Sequence, residues 1–359
     1  MEDLKVIDLF SGCGGSALGF KQAGFEIKVG VDNNPIASKT FEKNFPDAKV
    51  FCEDVTGLTG DILIKAAGAK SGKEILLLAC PPCQGFSTAR RYDQRLKEPR
   101  NFLIRHFIRL VGEIKPQFFV MENVPGLAKG IGKELFEEAL KELEKFGYNN
   151  VDYKVINTAD YGVPQQRKRL VLIGTNRKDV TISIPNQTNE NPEQKGGILP
   201  RWVSVRDVIS DLPAIESGGL SKNDKLHTSA NLSETNKKRM KHTPHDGGGR
   251  SSWPEELILD CHKKSDGFRD VYCRMKWDLP SPTITGGCAM ISKGRFGHPE
   301  QNRAISLREA ARLQSFPDTF TFLGNFGNIS SQIGNAVPPL LTRRIGFSLK
   351  RIMKATLTK

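Results

Sequence analysis

The sequence lacks the long apolar runs and the leader segment of membrane and secreted proteins. A helix that crosses a bilayer needs ~20 consecutive apolar residues, and no stretch of the chain approaches that length. The N-terminus enters a strand-like segment, Leu4 to Phe10, with no signal-peptide architecture before it. We therefore expect a cytoplasmic protein.

Cysteine is sparse and irregularly placed. The seven cysteines are odd in number and do not form a disulfide framework, which fits a reducing compartment. Cys80 and Cys83 make one C-x-x-C pair, but a zinc site needs two further ligands and no second such pair exists. Two prolines stiffen the loop between them, which disfavours a redox dithiol. The remaining interpretation is one nucleophilic thiol, Cys83.

Acidic residues are outnumbered by basic ones. The chain has 53 Lys and Arg against 40 Asp and Glu, a formal net charge of +13. Clustered cations release condensed counterions when they meet phosphates, so this excess favours a polyanionic partner. Nucleic acid is the leading candidate, ahead of an anionic membrane.

Apolar, strand-like runs alternate with helix-like stretches through residue 175. This alternation is typical of an α/β protein with a doubly wound, mostly parallel sheet that has helices on both faces. With 359 residues, the chain can hold one large domain of this kind and a smaller second one. The runs are Val6–Phe10, Glu26–Val31, Ala48–Cys52, Ile75–Cys80, Phe118–Met121, Tyr153–Ile156 and Leu170–Gly174.

The composition changes after Asn176. Polar stretches with Gly and Pro follow, together with all three tryptophans, which suit a small separate core. The pattern becomes helical again from about Ser306, and residues 340–353 could form a helix that returns to the first domain. We therefore predict domains at 1–175 and 176–302, and a C-terminal segment, 303–359, that completes the first domain.

A glycine-rich turn, Ser11 to Gly15, follows the first strand-like run. Glycines there let the backbone approach a ligand closely. Asp32, at the end of the second run, could accept hydrogen bonds from both hydroxyls of a ribose, so a nucleoside cofactor is implied. The spacing from Gly12 to Asp32 suits NAD as well as S-adenosylmethionine, although the full dinucleotide glycine pattern is missing. Asp54, after the third run, could bind an adenine amino group or cap a helix.

Six segments resemble, in order and spacing, the motifs of DNA cytosine-C5 methyltransferases of the bacterial restriction–modification type. The resemblance covers nearly the whole chain. It implies the Rossmann-like fold of S-adenosylmethionine-dependent methyltransferases, with residues 176–302 as an inserted target-recognition domain. The segments are Phe10–Gly15, Pro81–Ser87, Glu122–Val124, Gln165–Arg169, Arg303–Pro317 and Gln332–Pro339.

The resemblance also implies a chemistry for these residue types. Carbon 5 of cytosine is a weak nucleophile, so the Cys83 thiolate, which follows Pro82, would add at carbon 6 and make the ring enamine-like. Glu122 would hydrogen-bond N3 and the exocyclic amino group. Arg167 and Arg169, two apart, could clamp the flipped base, its phosphate or the carboxylate. No residue identifies itself as the base that removes the carbon 5 proton.

Further contacts are expected from the same resemblance. The cofactor would be S-adenosyl-L-methionine, and no metal is expected. The partners would be double-stranded DNA and a cognate restriction endonuclease that acts separately, and we expect a monomer. The expected cofactor-binding residues are Phe10, Ser11, Gly12, Gly14, Asp32, Asn33, Asp54, Val55, Asn335 and Val337. The expected DNA-binding residues are Gln84, Ser87, Gln165, Gly248, Arg250, Arg274 and Thr283.

Three alternatives remain open at this point. A tRNA cytosine methyltransferase would share every catalytic motif, but the Cys-Phe-Thr segment typical of that group is missing. A catalytically silent DNA-binding homologue is disfavoured because Cys83, Glu122, Arg167 and Arg169 are all present. An NAD oxidoreductase is the most distant possibility.

Overall fold

The computed structural model describes residues 4–82, 103–194, 196–263 and 269–355. Contacts divide the chain into two compact units. The first unit comprises Met1–Tyr161, Lys168–Gln187 and Ala336–Lys359, and the second comprises Gly162–Arg167 and Thr188–Asn335.

The observed division differs from the predicted boundaries in one long stretch. Residues 303–335 lie with the second unit, whereas the sequence pattern places them with the returning C-terminal segment. Arg308 explains part of this placement, because its guanidinium pairs with Asp224 inside the second unit. The segment that returns to the first unit begins at Ala336.

A seven-stranded sheet forms the centre of the first unit, with strand order β3-β2-β1-β4-β5-β7-β6. The five strands from β3 to β5 in that order are parallel, and β7 is antiparallel to both of its neighbours. Each predicted apolar run corresponds to one strand, and the prediction of a mostly parallel sheet is confirmed. The strands are β1 Lys5–Leu9, β2 Glu26–Val31, β3 Lys49–Phe51, β4 Ile75–Ala79, β5 Phe118–Asn123, β6 Asn150–Asn157 and β7 Lys168–Thr175.

Helices flank the sheet in the first unit and, with loops, make up most of the second. The α-helices are α1 Gly15–Gln22, α2 Pro35–Asn44, α3 Gly60–Ala66, α4 Leu103–Ile114, α5 Lys133–Lys145, α6 Val205–Ile209, α7 Glu234–His242, α8 Asp260–Lys263, α9 Leu307–Leu313, α10 Phe326–Asn335 and α11 Pro339–Ala355. Short 3-10 helices span Val55–Gly57, Gly72–Glu74, Pro125–Leu127, Gly130–Gly132, Thr158–Tyr161, Arg250–Ser252, Glu255–Leu257 and Ile291–Lys293.

Both faces of the sheet are covered, which is why β4 is buried along its whole length. Ile7 and Leu77 face a core that includes Phe107 and Leu110 of α4. The opposite face is covered by α1 and α11, which pack together closely enough that a Cβ on Gly19 would lie 2.0 Å from the Thr342 Oγ1 atom. The predicted C-terminal helix is therefore present and lies beside the first helix.

The helix α2 begins as its sequence predicts. The Asn34 Oδ1 atom accepts hydrogen bonds from the backbone N–H groups of Ile36 and Ala37, at 3.0 and 3.1 Å, and Pro35 occupies the first helical position. This cap satisfies donors that a helix start leaves without partners. It also fixes where the chain leaves the end of β2.

The second unit has a small apolar core supplemented by buried ionic groups. Met240, Trp253 and Tyr272 belong to that core. Nearby, Arg303 and Glu309 are almost fully buried and form an ion pair at 2.7 Å. Burial alone would raise the pKa of Glu309, but the hydrogen bonds and charge of Arg303 hold it below its ordinary value. Within the described ranges, no helix is long and apolar enough to cross a membrane.

Candidate active site

The turn between β1 and α1 is built on left-handed backbone conformations. Phe10, Gly12 and Gly14 have φ values of 56°, 53° and 96°. Phe10 is notable because residues with a Cβ rarely adopt this region. At Gly14 a Cβ would also lie 2.4 Å from a ring carbon of Phe45, so glycine is required there. The sequence therefore needs its glycines in this turn.

Asp32, after β2, closes this turn. One carboxylate oxygen accepts from the Gly12 N–H and the other from the Asn34 N–H, each at 2.8 Å. Burial raises the pKa of Asp32, and these two hydrogen bonds oppose that rise. Each oxygen still has a lone pair with which to accept a ligand hydroxyl.

The surrounding residues fit a nucleoside cofactor. The Ser11 hydroxyl is buried and has no hydrogen-bond partner within the described part of the chain, which leaves it available to a ligand. Asn33 and Asp54 are exposed at the ends of β2 and β3, and Val55 is buried beside them. The hydrogen bond from the Thr56 N–H, at 2.9 Å, lowers the pKa of Asp54 and caps the short turn that follows. These positions share the edge of the sheet where α/β proteins bind ligands.

The last sequence motif is divided between the two units. Val337 belongs to the first unit, where it lines a cavity next to the sheet. Asn335 belongs to the second unit, where its side-chain amide donates to the Ser331 hydroxyl at 3.2 Å. Both remain predicted cofactor contacts.

Glu122 and Arg169 form an ion pair across neighbouring antiparallel strands. Glu122 lies on β5 and Arg169 on β7, and their atoms Oε1 and Nε are 2.8 Å apart. Both side chains are largely buried, with 13% and 15% of their surfaces exposed. A charge-assisted contact shielded from water holds a carboxylate more firmly than an exposed one does. The structure thus gives Glu122 a fixed orientation.

The loop after β4 is held by Asn123, the residue after Glu122. Its amide donates to the Pro81 carbonyl at 3.1 Å, and its own carbonyl accepts from the Val124 N–H at 2.8 Å. Pro82, the last described residue of this loop, is half-buried. Three residues with predicted roles, Cys83, Gln84 and Ser87, lie outside the described residues. Sequence analysis assigned no role to Asn123, although its position in the Glu122–Val124 motif was the available signal.

Arg167 does not share the environment of Arg169. It precedes β7 and belongs to the second unit, where its guanidinium donates to the carbonyls of Ile284, at 2.8 Å, and Gly334, at 3.3 Å. The prediction that both arginines point the same way along a strand is therefore wrong, because β7 begins only at Lys168. Arg167 joins two backbone segments, and Arg169 contacts the carboxylate.

Arg274 was predicted to contact DNA, and the structure contradicts this. The side chain is fully buried in the second unit, and burial lowers its pKa to about 10. A guanidinium in this position cannot reach a base edge. All of its printed hydrogen bonds are internal, to the carbonyls of Met240, Thr243, His298 and Gln301 and to the side chain of Asn302.

Gln165 is likewise an internal residue rather than a DNA contact. It is fully buried, its amide donates to the Gln314 side chain at 2.7 Å, and its oxygen accepts from the Ile284 N–H at 2.8 Å. These bonds connect two of the sequence motifs to the segment around Thr283. The predicted contact is wrong because no polar atom of a fully buried amide faces solvent.

The other predicted DNA contacts in the second unit remain predictions. Thr283 is half-buried and donates to the Gln166 carbonyl at 2.9 Å. Gly248 lies against Pro244, with room for no side chain on that side. Arg250 is half-buried and lies 3.3 Å from the His262 ring. Across the residues that the structure describes, no group of His, Cys, Asp and Glu could hold a metal ion.

The family model for C-5 cytosine-specific DNA methylases matches residues 4–351. The chain belongs to this family. It is therefore a DNA cytosine-5 methyltransferase, and its sheet and helices form the Rossmann-like methyltransferase fold. This identification agrees with the Glu122–Arg169 pair and the glycine turn at one edge of the sheet.

Individual relatives of this DNA cytosine-5 methyltransferase have similar lengths. The Type II methylase M.HgiDII of Herpetosiphon aurantiacus is 39% identical, over 97% of this chain and 96% of its own. The Type II methyltransferase M1.HphI of Haemophilus parahaemolyticus is 38% identical, over 97% and 87%. A crystal structure described as a DNA modification methyltransferase encoded within an E. coli prophage matches with a TM-score of 0.76 and 26% identity, over 98% of this chain and 100% of that one.

Proposed function

We propose that this methyltransferase acts on a cytosine flipped out of a specific double-stranded DNA sequence, through a covalent bond between Cys83 and carbon 6. The observation that carries this proposal is the buried Glu122–Arg169 ion pair beside the loop that leads to Cys83. A carboxyl group fixed in this way can meet a base edge with little reorganisation. Flipping is needed because carbon 5 is inaccessible in a stacked duplex.

Glu122 would bind N3 and the exocyclic amino group of the flipped cytosine. As the Cys83 sulfur adds at carbon 6, negative charge develops on the ring, and a proton held by Glu122 at N3 neutralises it. Arg169 would keep the carboxyl group in place through its contact at 2.8 Å. After methylation, loss of the carbon 5 proton and elimination of the thiolate release the base.

S-adenosyl-L-methionine is the proposed cofactor, and when bound it supplies an electrophilic methyl group. Asp32 would accept hydrogen bonds from its ribose hydroxyls, and the Ser11 hydroxyl and the turn at Gly12 and Gly14 would contact the rest of the nucleoside. The buried Ser11 hydroxyl and the left-handed turn support this assignment. Asp54 is placed to bind an adenine amino group.

The biological role we infer is the modification half of a restriction–modification system. The support is that the relatives reported above are Type II enzymes and match this chain nearly end to end. We propose a cytoplasmic monomer that binds double-stranded DNA, with a cognate restriction endonuclease that acts separately.

The decisive experiment is methyl transfer from labelled cofactor to plasmid DNA, followed by bisulfite sequencing. We expect label at one cytosine of a defined sequence in the wild type and none in Cys83→Ser. Cys52→Ser removes an exposed thiol and is the matched control, which should remain active. DNA containing 5-fluorocytosine should trap a covalent adduct only when Cys83 is present. Full activity of Cys83→Ser, or label found only in tRNA, would refute the proposal.

A further inference from the structure

Asp8 is a buried ionisable residue that the mechanism above does not use. It lies on β1 and is fully buried. One carboxylate oxygen accepts a hydrogen bond from the Ser16 hydroxyl at 2.7 Å, and the other has no hydrogen-bond partner within the described ranges. A buried carboxylate with so few donors is costly to keep charged. Burial accordingly raises the pKa of Asp8 to about 7.

The sheet register places Asp8 on the same face as Glu122. Asp8 pairs with Leu78 of β4, and Leu78 pairs with Val120 of β5. Side chains alternate along a strand, so Cys80 and Glu122, two residues further on, also point to this face. Asp8 and Glu122 are therefore side chains of one surface of the sheet, near its carboxyl edge.

A small cavity connects these groups. Its volume is about 10 Å³, which is close to the space that one water molecule needs. Ser16, Cys80 and Glu122 line it together with apolar side chains such as Val337 and Leu341. The Ser16 hydroxyl, which donates to Asp8, thus faces the same space as the Glu122 side chain.

The charged neighbours of Asp8 are few. Asp32 at the end of β2 and Cys13 in the glycine turn are the nearest on the cofactor side. On β4, burial raises the pKa of the Cys80 thiol well above its ordinary range, so Cys80 stays neutral. On β5 there is Glu122, with Arg169 of β7 beyond it. The residues of α11 and β7 that line the cavity are not ionisable.

We propose that Asp8 is a positioning residue that shares one proton with Glu122 through Ser16 and one water molecule. In the transfer, the Asp8 carboxyl group gives its proton to the Ser16 oxygen, Ser16 gives its own proton to the water, and the water gives one to Glu122. The net change is an ionised Asp8 and a protonated Glu122, with no oxidation or reduction. The inference rests on the function proposed above, in which Glu122 holds a proton.

The two charged neighbours of Glu122 act in opposite directions. The guanidinium of Arg169 favours an ionised carboxylate, whereas a negative charge on Asp8 favours a protonated one. Two carboxyl groups that interact closely cannot both ionise easily, so they titrate as a pair. Ionisation of Asp8 near neutral pH thus keeps a proton on Glu122 at the pH where the thiolate of Cys83 becomes more abundant.

The test compares the pH dependence of kcat for methyl transfer to DNA in four proteins: wild type, Asp8→Asn, Ser16→Ala and Ser16→Thr. Asp8→Asn keeps the shape of the side chain but cannot ionise. Ser16→Ala removes the donor that helps Asp8 to ionise, while Ser16→Thr retains a hydroxyl. We expect the alkaline limb of the profile to move to lower pH by about one unit in Asp8→Asn and Ser16→Ala, which is a loss of about tenfold in kcat at pH 8. Ser16→Thr should match the wild type, and all four should agree within about twofold at pH 6.

Two results would overturn the inference. One is a set of superimposable profiles, and the other is an equal loss of kcat at every pH, which would indicate a purely structural role. The pair Ser16→Ala and Ser16→Thr decides the question even if Asp8→Asn does not fold. A wild-type protein that transfers no methyl group to DNA would instead refute the proposed function and is distinguishable from both results.

Discussion

At the scale of single residues, two arginines that lie two positions apart in the sequence have different surroundings. Arg169 contacts Glu122 at 2.8 Å, whereas Arg167 donates to backbone carbonyls of the second unit. The Arg-x-Arg pattern alone does not distinguish them, since each guanidinium can reach a carboxylate or a carbonyl. Their roles should therefore separate when each is replaced.

Arg169→Ala should lower kcat for methyl transfer by about 10²-fold, because Glu122 loses the contact that orients it. Arg169→Lys should recover only part of the rate, since an ammonium lacks the planar guanidinium. Lys168→Ala removes the neighbouring exposed cation and should leave kcat unchanged. The measurement is single-turnover methyl transfer at saturating DNA and cofactor, and an equal loss in Lys168→Ala would contradict the assignment.

Arg274 is expected to contribute to stability and not to DNA contact. Arg274→Met would leave buried carbonyl oxygens without donors and should lower the free energy of unfolding by about 3 kcal/mol or more. Arg201, exposed and paired with Asp207, is the matched control in the same unit. Its replacement by Met should cost less than about 1 kcal/mol.

Urea unfolding of both variants measures the difference. Equal losses would show that the buried hydrogen bonds of Arg274 add little. A large loss of DNA affinity in Arg274→Met with unchanged stability would restore the original prediction of a DNA contact.

At the scale of elements, the docking of α11 on α1 depends on a helical glycine. A Cβ at Gly19 would lie 2.0 Å from the Thr342 Oγ1 atom and 2.2 Å from the Pro339 carbonyl oxygen. Backbone atoms cannot move aside as a flexible side chain can, so α11 would have to shift. This contact brings the last helix of the chain beside the cofactor turn.

Gly19→Ala should therefore destabilise the protein by roughly 1–3 kcal/mol, the usual cost of overpacking. Gly327→Ala, in α10, meets only the Asn325 side chain at 3.5 Å. It should be neutral or stabilising by up to about 1 kcal/mol, because alanine is the better helix former. Thermal and urea unfolding of the two variants provide the comparison, and a stable Gly19→Ala would argue against the close packing of these helices.

At the scale of the whole molecule, the buried carboxyl group of Asp8 should leave a mark on stability as a function of pH. Its pKa is raised to about 7 in the folded protein, from 3.8 in a solvated side chain. Between these two values the unfolded chain releases the proton while the folded protein retains it. The contribution of Asp8 is therefore fully present below about pH 4 and is lost as the pH rises through 7.

Asp8→Asn removes this dependence. We expect the variant to gain stability relative to the wild type as the pH rises from 5 to 7, by up to about 1.4 kcal/mol per pH unit. The measurement is the difference in unfolding free energy between the two proteins, obtained in urea at pH 5, 6, 7 and 8. A difference that stays constant with pH would show that Asp8 ionises as readily in the folded protein as in the unfolded chain.

The sequence by itself determined the family, the mostly parallel sheet and the residue types of the site. It could do so because buried strands are recognisable as short apolar runs, and because the glycine turn, Cys83, Glu122 and Arg169 occur in motifs with fixed order. The start of α2 was equally predictable, since an Asn-Pro cap depends only on neighbouring residues.

Only the tertiary structure decided which polar groups meet. Burial of Arg274 and Gln165, the separate environments of Arg167 and Arg169, and the shared face of Asp8 and Glu122 all depend on contacts between segments distant in the chain. The same holds for residues 303–335, whose helical pattern is visible in the sequence but whose unit is not. A side chain's neighbours, its burial and therefore its charge state arise from packing, and local patterns in the sequence do not contain that information.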